Sequence, residues 1–72
     1  MDRQMLLDHL VEAEQRVAGS KNDIQEQYRL IADLMRYGED TVEAVSVLNQ
    51  LIEAQEEHEA DRDRLKVELE EK

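Results

Sequence analysis

The stretch Tyr37-Gly38-Glu39-Asp40-Thr41 interrupts two long segments of helix-spaced apolar residues and decides the fold of this chain. Gly38 stands where a helix commonly ends in the left-handed backbone conformation, and Arg36 lies in the preceding turn, where its charge suits the helix dipole. Asp40 has the pattern of an N-cap, and Glu43 three residues later completes a capping box. The interruption therefore predicts one tight turn between two helices.

The segments on both sides of this turn have the apolar periodicity of α-helices. We predict an all-α antiparallel helical hairpin in a single domain of residues 1–72, with helix 1 over about 2–36, a turn at 37–41 and helix 2 over about 41–70. The two helices meet along a seam whose positions alternate in steps of three and four. The candidate core and interface residues are Leu6, Leu10, Val17, Ile24, Ile31, Leu34, Val45, Leu48, Leu51, Ile52, Leu65 and Leu69.

The apolar stripe of helix 1 is wider than a two-helix seam requires, since Leu7, Val11, Tyr28, Leu30 and Met35 lie beside it. A chain of 72 residues is close to the lower size limit for folding alone, and it contains no Cys for a disulfide or a thiolate metal site. Self-association is the remaining way to bury more apolar surface. We therefore expect a homodimer that completes a four-helix bundle.

Polar residues occupy several seam positions, most of them in the middle of helix 2. Such residues can set the register and the oligomeric state of a helical assembly, or they can face water where the stripe drifts, and both interpretations stay open. Gly19-Ser20 falls at the same height in helix 1, so a kink or break there is a further alternative. The polar seam residues are Ser20, Gln27, Asn49, Gln55, His58 and Arg62.

The charge of the chain is strongly negative, with 9 Lys and Arg against 19 Asp and Glu, a net charge of −10. A surface of this sign repels phosphate backbones and anionic lipid headgroups, so nucleic-acid and membrane partners are not expected. The longest apolar runs have two or three residues, which is too short for a bilayer span or a secretory signal. We expect a cytoplasmic protein.

His58 and Asp61 are the candidate metal ligands, because a spacing of three residues brings them together on a helix surface. Metal sites in helical bundles, however, use a Glu three residues before the His, repeated on two helices. Gln55 stands at that position before His58, and Leu6 stands there before His9. A metal- or small-ligand-binding bundle is therefore the alternative function, and no cofactor is expected.

The sequence contains no catalytic signature: no glycine-rich phosphate loop, no nucleophile with a paired base, and no Cys. General acid–base catalysis by the many carboxylates needs a pocket that excludes water, and a thin hairpin offers none. The chain is therefore not expected to be an enzyme. The expected function is that of a non-enzymatic protein–protein interaction or regulatory module, whose partners are a second copy of itself and, as a further candidate, another protein.

Most of the chain resembles a group of small helical-hairpin proteins from soil and photosynthetic alphaproteobacteria. The most distinctive part of the resemblance is His58-Glu59-Ala60-Asp61-Arg62-Asp63-Arg64-Leu65. The resemblance implies a bacterial source and a helical fold, and because the group has no assigned activity it implies no function. Its other parts are His9-Leu10, Ala13-Glu14, Val17-Ala18-Gly19, Ile24, Gln27, Ile31-Ala32-Asp33-Leu34, Gly38, Asp40-Thr41, Ala44 and Leu48.

Overall fold

The protein is described by a computed structural model that covers residues 2–71. Two helices, α1 (Arg3–Arg36) and α2 (Val42–Glu71), pack against each other along their length. The hairpin measures 54 × 14 × 13 Å, which is the length of one helix and the thickness of one pair. The predicted helical hairpin is thus confirmed.

Both ends of α1 are closed by local capping interactions. At its start, the Asp2 carboxylate accepts a hydrogen bond from the Met5 N–H at 2.8 Å. At its end, Gly38 has a φ of +69°, and the Glu39 N–H donates to the Leu34 carbonyl at 2.9 Å. The Gly38 N–H donates to the carbonyl of Met35 at 3.1 Å, which completes a Schellman motif. This motif directs the chain back along α1.

α2 begins one residue later than the sequence predicted, at Val42. The carbonyl of Thr41 accepts the first intrahelical bond, from the Val45 N–H at 2.9 Å. The Asp40 carboxylate still accepts the Val42 N–H at 3.0 Å, so it satisfies one of the free donors at the helix start. Within residues 2–71, the Glu43 side chain makes no return hydrogen bond to Asp40, so the second half of the predicted capping box does not form.

The core is a thin seam between the helices. Five apolar residues are buried, with Leu6, Ala13 and Val17 from α1 and Ala44 and Leu48 from α2. Most other predicted seam residues are half-buried, because a single partner helix covers only one side of each: Leu10, Ile24, Ile31, Leu34, Leu51, Ile52, Leu65 and Leu69. Val45, also predicted at the seam, is exposed.

Two hydrogen bonds between a side chain and the opposite backbone join the helices. Gln27 Nε2 donates to the carbonyl of Ala44 at 2.8 Å near the turn, and Arg3 Nη1 donates to the carbonyl of Leu69 at 3.5 Å near the open end. α1 continues as one helix through Gly19-Ser20, where a break was the alternative. Over the residues that the structure describes, neither helix is long and apolar enough to cross a membrane.

Candidate interaction surface

Large apolar side chains are exposed along the hairpin in greater number than its core contains. Five apolar residues are buried, whereas eleven large apolar residues of the described chain are exposed. Seven of the eleven lie between Tyr28 and Val47, around the turn. The exposed set is Met5, Leu7, Val11, Tyr28, Leu30, Met35, Tyr37, Val42, Val45, Val47 and Val67. The turn end is therefore the least covered part of the apolar surface.

One side of the turn end forms a shallow groove. Leu30 and Val47, which come one residue before the seam positions Ile31 and Leu48, lie on this side. The groove is lined by Gln27, Leu30, Leu34, Asp40, Glu43, Ala44 and Val47. Its titratable groups are two exposed carboxylates, Asp40 and Glu43, and no Ser, Cys, His or Lys is among the lining residues. Four of its seven lining residues are apolar, so the groove offers mainly apolar contact.

The opposite side of the turn end carries a second apolar surface, which we call the turn face. Its residues are Tyr28, Ala32 and Met35 of α1 with Val42, Val45 and Ile52 of α2. Tyr28 and Met35 come one residue after seam positions of α1, as Val45 and Ile52 do in α2. In an antiparallel pair such positions lie on the same side of the seam.

The turn face is well exposed. Met35 and Val42 have 68% and 71% of their surface accessible, and Tyr28 has 54%. Asn49, exposed between Val45 and Ile52, is its polar member. A contiguous apolar patch with a polar surround is typical of a protein-binding surface.

Farther from the turn, the same side of α2 is acidic. Residues 53–71, which we call the α2 arm, contain nine carboxylates against Arg62, Arg64 and Lys66. By contrast, Glu43 is the one charged residue between Val42 and Ile52. The residues that continue the turn-face stripe along the arm are four carboxylates and one lysine: Glu56, Glu59, Asp63, Lys66 and Glu70. The stripe thus changes from apolar to anionic about one third of the way along α2.

The polar residues predicted at the seam are covered to different degrees. Ser20 and Gln55 are buried, with 9% and 7% of their surface exposed. Gln27, His58 and Arg62 are half-buried, and Asn49 is exposed, so for Asn49 the interpretation as a solvent-facing residue holds. Sequence periodicity predicts a seam position for all six residues and does not distinguish the buried ones from the exposed one.

Gln55 is the most deeply buried polar side chain of the seam. Its Nε2 donates to Glu59 Oε1 at 3.2 Å. Its Oε1 is buried, and no protein group within residues 2–71 donates to it. A buried acceptor without a donor is unfavourable, so we expect this position to lower the stability of the seam.

The candidate metal ligands His58 and Asp61 have no third ligand beside them. No group of three or more His, Cys, Asp or Glu residues in the described part of the chain is arranged to hold a metal ion. Asp61 instead forms an ion pair with Arg64. The other histidine, His9, lies 4.0 Å from Glu12 on the exposed side of α1.

Comparison of the chain with protein-family models, with curated proteins and with solved structures found no match. The resemblance to alphaproteobacterial hairpin proteins therefore stays a prediction.

Proposed function

We propose that this protein is a non-enzymatic interaction or regulatory module that self-associates as a helical hairpin. In the assembled form, its helical surface recognises another protein. A homodimer in which two hairpins form a four-helix bundle over part or all of their length is the simplest such assembly.

The observation that carries this proposal is the imbalance between exposed and buried apolar residues. The described hairpin buries five apolar residues and leaves eleven large ones exposed. Complete burial of one such side chain stabilises a protein by about 1.5–3 kcal/mol. Because a small domain has a net stability of only about 5 kcal/mol, covering several of these side chains is a large gain.

The surface also supports a binding role over a catalytic one. The groove at the turn end contains carboxylates and apolar side chains, without the nucleophile or base that catalysis by acyl or proton transfer requires. Exposed Tyr28 and Tyr37 are side chains of a type that is enriched in protein interfaces.

Sedimentation equilibrium of the full chain tests the proposal over a range from about 1 µM to about 1 mM. We expect the average mass to rise from 8.5 kDa for the monomer to at least twice that value. The melting temperature should rise with protein concentration, since association stabilises the folded state. A mass of one chain throughout this range, with melting independent of concentration, would refute self-association.

A zinc titration of the same samples separates this function from that of a metal-binding bundle. An interaction module should melt at the same temperature with Zn²⁺ as with a chelator. A metal-binding bundle should be stabilised as the metal concentration passes its dissociation constant. Stabilisation lost on His58→Ala substitution would transfer the proposal to the metal-binding alternative.

A further inference from the structure

The turn face and the acidic arm together define how two copies pair. We propose that a second copy of this chain binds on the turn face in antiparallel orientation. The two turn ends then overlap, and the α2 arms of the two copies point in opposite directions. This inference rests on the proposed self-association and specifies its surface and geometry.

A two-fold symmetric dimer places the same patch of each copy against its partner, so the patch must be complementary to itself. The turn face meets this requirement because the six residues that define it are apolar and Asn49 beside them is uncharged. The charged residues of α1 in this region, Glu26, Arg29, Asp33 and Arg36, sum to zero. With Glu39, Asp40 and Glu43 the turn end has a net charge of −3, against −6 for the α2 arm, so two turn ends repel each other less than two arms do.

The turn face is short relative to the hairpin. Val42 and Ile52 are ten residues apart, which corresponds to about 15 Å along the helix axis. The hairpin is 54 Å long, so the face covers less than a third of it. A dimer built on this face therefore overlaps over the turn ends only and leaves the α2 arm in solvent.

Full-length overlap with the turns at the same end also brings the two turn faces together. It additionally covers the arm of each copy with α1 of the partner, which places Glu59 at the height of Glu14 and Asp63 at the height of Val11. A carboxylate placed against another carboxylate or against an apolar side chain loses hydration without gaining a partner. This arrangement is disfavoured.

Full-length overlap with the turns at opposite ends fails for a related reason. It places the arm of each copy, with nine carboxylates and three bases, over the turn face of the other. The apolar surfaces of Val42, Val45 and Ile52, the α2 residues of the turn face, would then be covered by charged side chains. Pairing over the turn ends alone avoids both costs.

Distances between equivalent spin labels distinguish the three arrangements. The chain has no Cys, so Ser46→Cys and Glu68→Cys each give a single labelling site at an exposed position. Glu68 lies 22 residues beyond Ser46, or about 33 Å along α2. With arms pointing apart, labels at residue 46 should be within about 25 Å of each other and labels at residue 68 about 65 Å apart.

The other geometries predict different pairs of distances. Full overlap with the turns at the same end gives short distances at both sites. Full overlap with the turns at opposite ends gives about 30–40 Å at both. Either result, in a sample whose mass is that of a dimer, overturns the arrangement proposed here but leaves self-association intact.

A pair of matched substitutions tests which surface is covered. Val42→Glu adds a carboxylate to the turn face at the first residue of α2, where a negative charge favours the helix, so the hairpin should remain folded. Val67→Glu adds the same charge at a valine of the α2 arm that is 51% exposed. We expect Val42→Glu to weaken dimerisation at least tenfold and Val67→Glu by less than threefold.

The outcomes for the interface and for association are separable. Equal weakening by the two substitutions would show that net charge alone matters and would overturn the turn face as the interface. A wild-type chain that stays monomeric up to about 1 mM would refute the proposed self-association, and this inference with it.

Discussion

Gln55→Leu should stabilise the hairpin, although it removes a hydrogen-bonded side chain. Gln55 is 7% exposed, and its Oε1 is buried with no donor among the described protein groups. Its amide nitrogen makes one bond, at 3.2 Å to Glu59, a half-buried side chain whose carboxylate can be hydrated in its place. The substitution removes an unsatisfied acceptor and keeps a side chain of similar helix propensity.

The expected gain in the free energy of unfolding is the sum of three contributions. Removing a buried acceptor without a donor gains about 1–3 kcal/mol, and losing the bond to Glu59 costs about 0.5–1.5 kcal/mol. The additional apolar surface buried by leucine contributes about 1 kcal/mol. The sum is a stabilisation of about 2 kcal/mol, which for a domain of this size raises the melting temperature by roughly 8–16 °C.

The assay is thermal and urea unfolding followed by circular dichroism, at one low protein concentration so that association contributes equally to every variant. Gln50→Leu is the matched control, since Gln50 is an exposed glutamine of the same helix. It should change the free energy of unfolding by no more than about 0.5 kcal/mol. Gln55→Met, with an unbranched side chain, separates loss of the polar group from a change of shape.

A melting temperature of Gln55→Leu and Gln55→Met at or below that of the wild type would refute the reasoning. It would mean that the Gln55 carbonyl is satisfied in solution and contributes to stability. Combining Gln55→Leu with His58→Leu extends the test to the role of polar seam residues in assembly. If these residues set the register, the double variant should be more stable than the wild type and should populate several oligomeric states.

Three further predictions concern the turn, the seam and the charge. Gly38→Ala should lower the free energy of unfolding by about 1–2 kcal/mol, because φ is +69° at this residue. Its control, Gly19→Ala, should raise the free energy of unfolding by about 0.5–1 kcal/mol, since a Cβ there meets no atom within 4 Å. If urea unfolding showed that the two substitutions change the free energy of unfolding in the same direction, this account would be contradicted. Gln27→Ala should cost about 1 kcal/mol in the same assay through the lost bond to the Ala44 carbonyl, and exposed Gln25→Ala should be nearly neutral. Raising the NaCl concentration from about 20 mM to about 1 M should tighten self-association, as measured by sedimentation. The reason is that salt screens the repulsion between copies that each have a net charge of −10. Weaker association in high salt would indicate that attractive ion pairs dominate the interface.

Most of the fold follows from signals that act within a few residues of each other. The left-handed conformation at Gly38 and the cap at Asp2 depend on local backbone geometry, so the sequence indicates them directly. The start of α2 was placed one residue early, because Asp40 and Thr41 are both competent caps and the choice depends on how the chain leaves the Schellman motif. The turn face and the groove were not predicted as separate surfaces, although the width of the apolar stripe indicated an excess of apolar residues.

By itself, the sequence determined that the chain forms two helices joined by one turn, since helix propensity, heptad spacing and capping are all encoded locally. The tertiary structure alone decided how deeply each seam position is covered. Val45 and Asn49 are exposed while Gln55 is buried, although periodicity placed all three at the seam. The reason is that burial depends on the offset and rotation of the opposite helix, which sequence spacing within one helix does not fix. The same rotation placed the turn face on one side of the hairpin and the groove on the other.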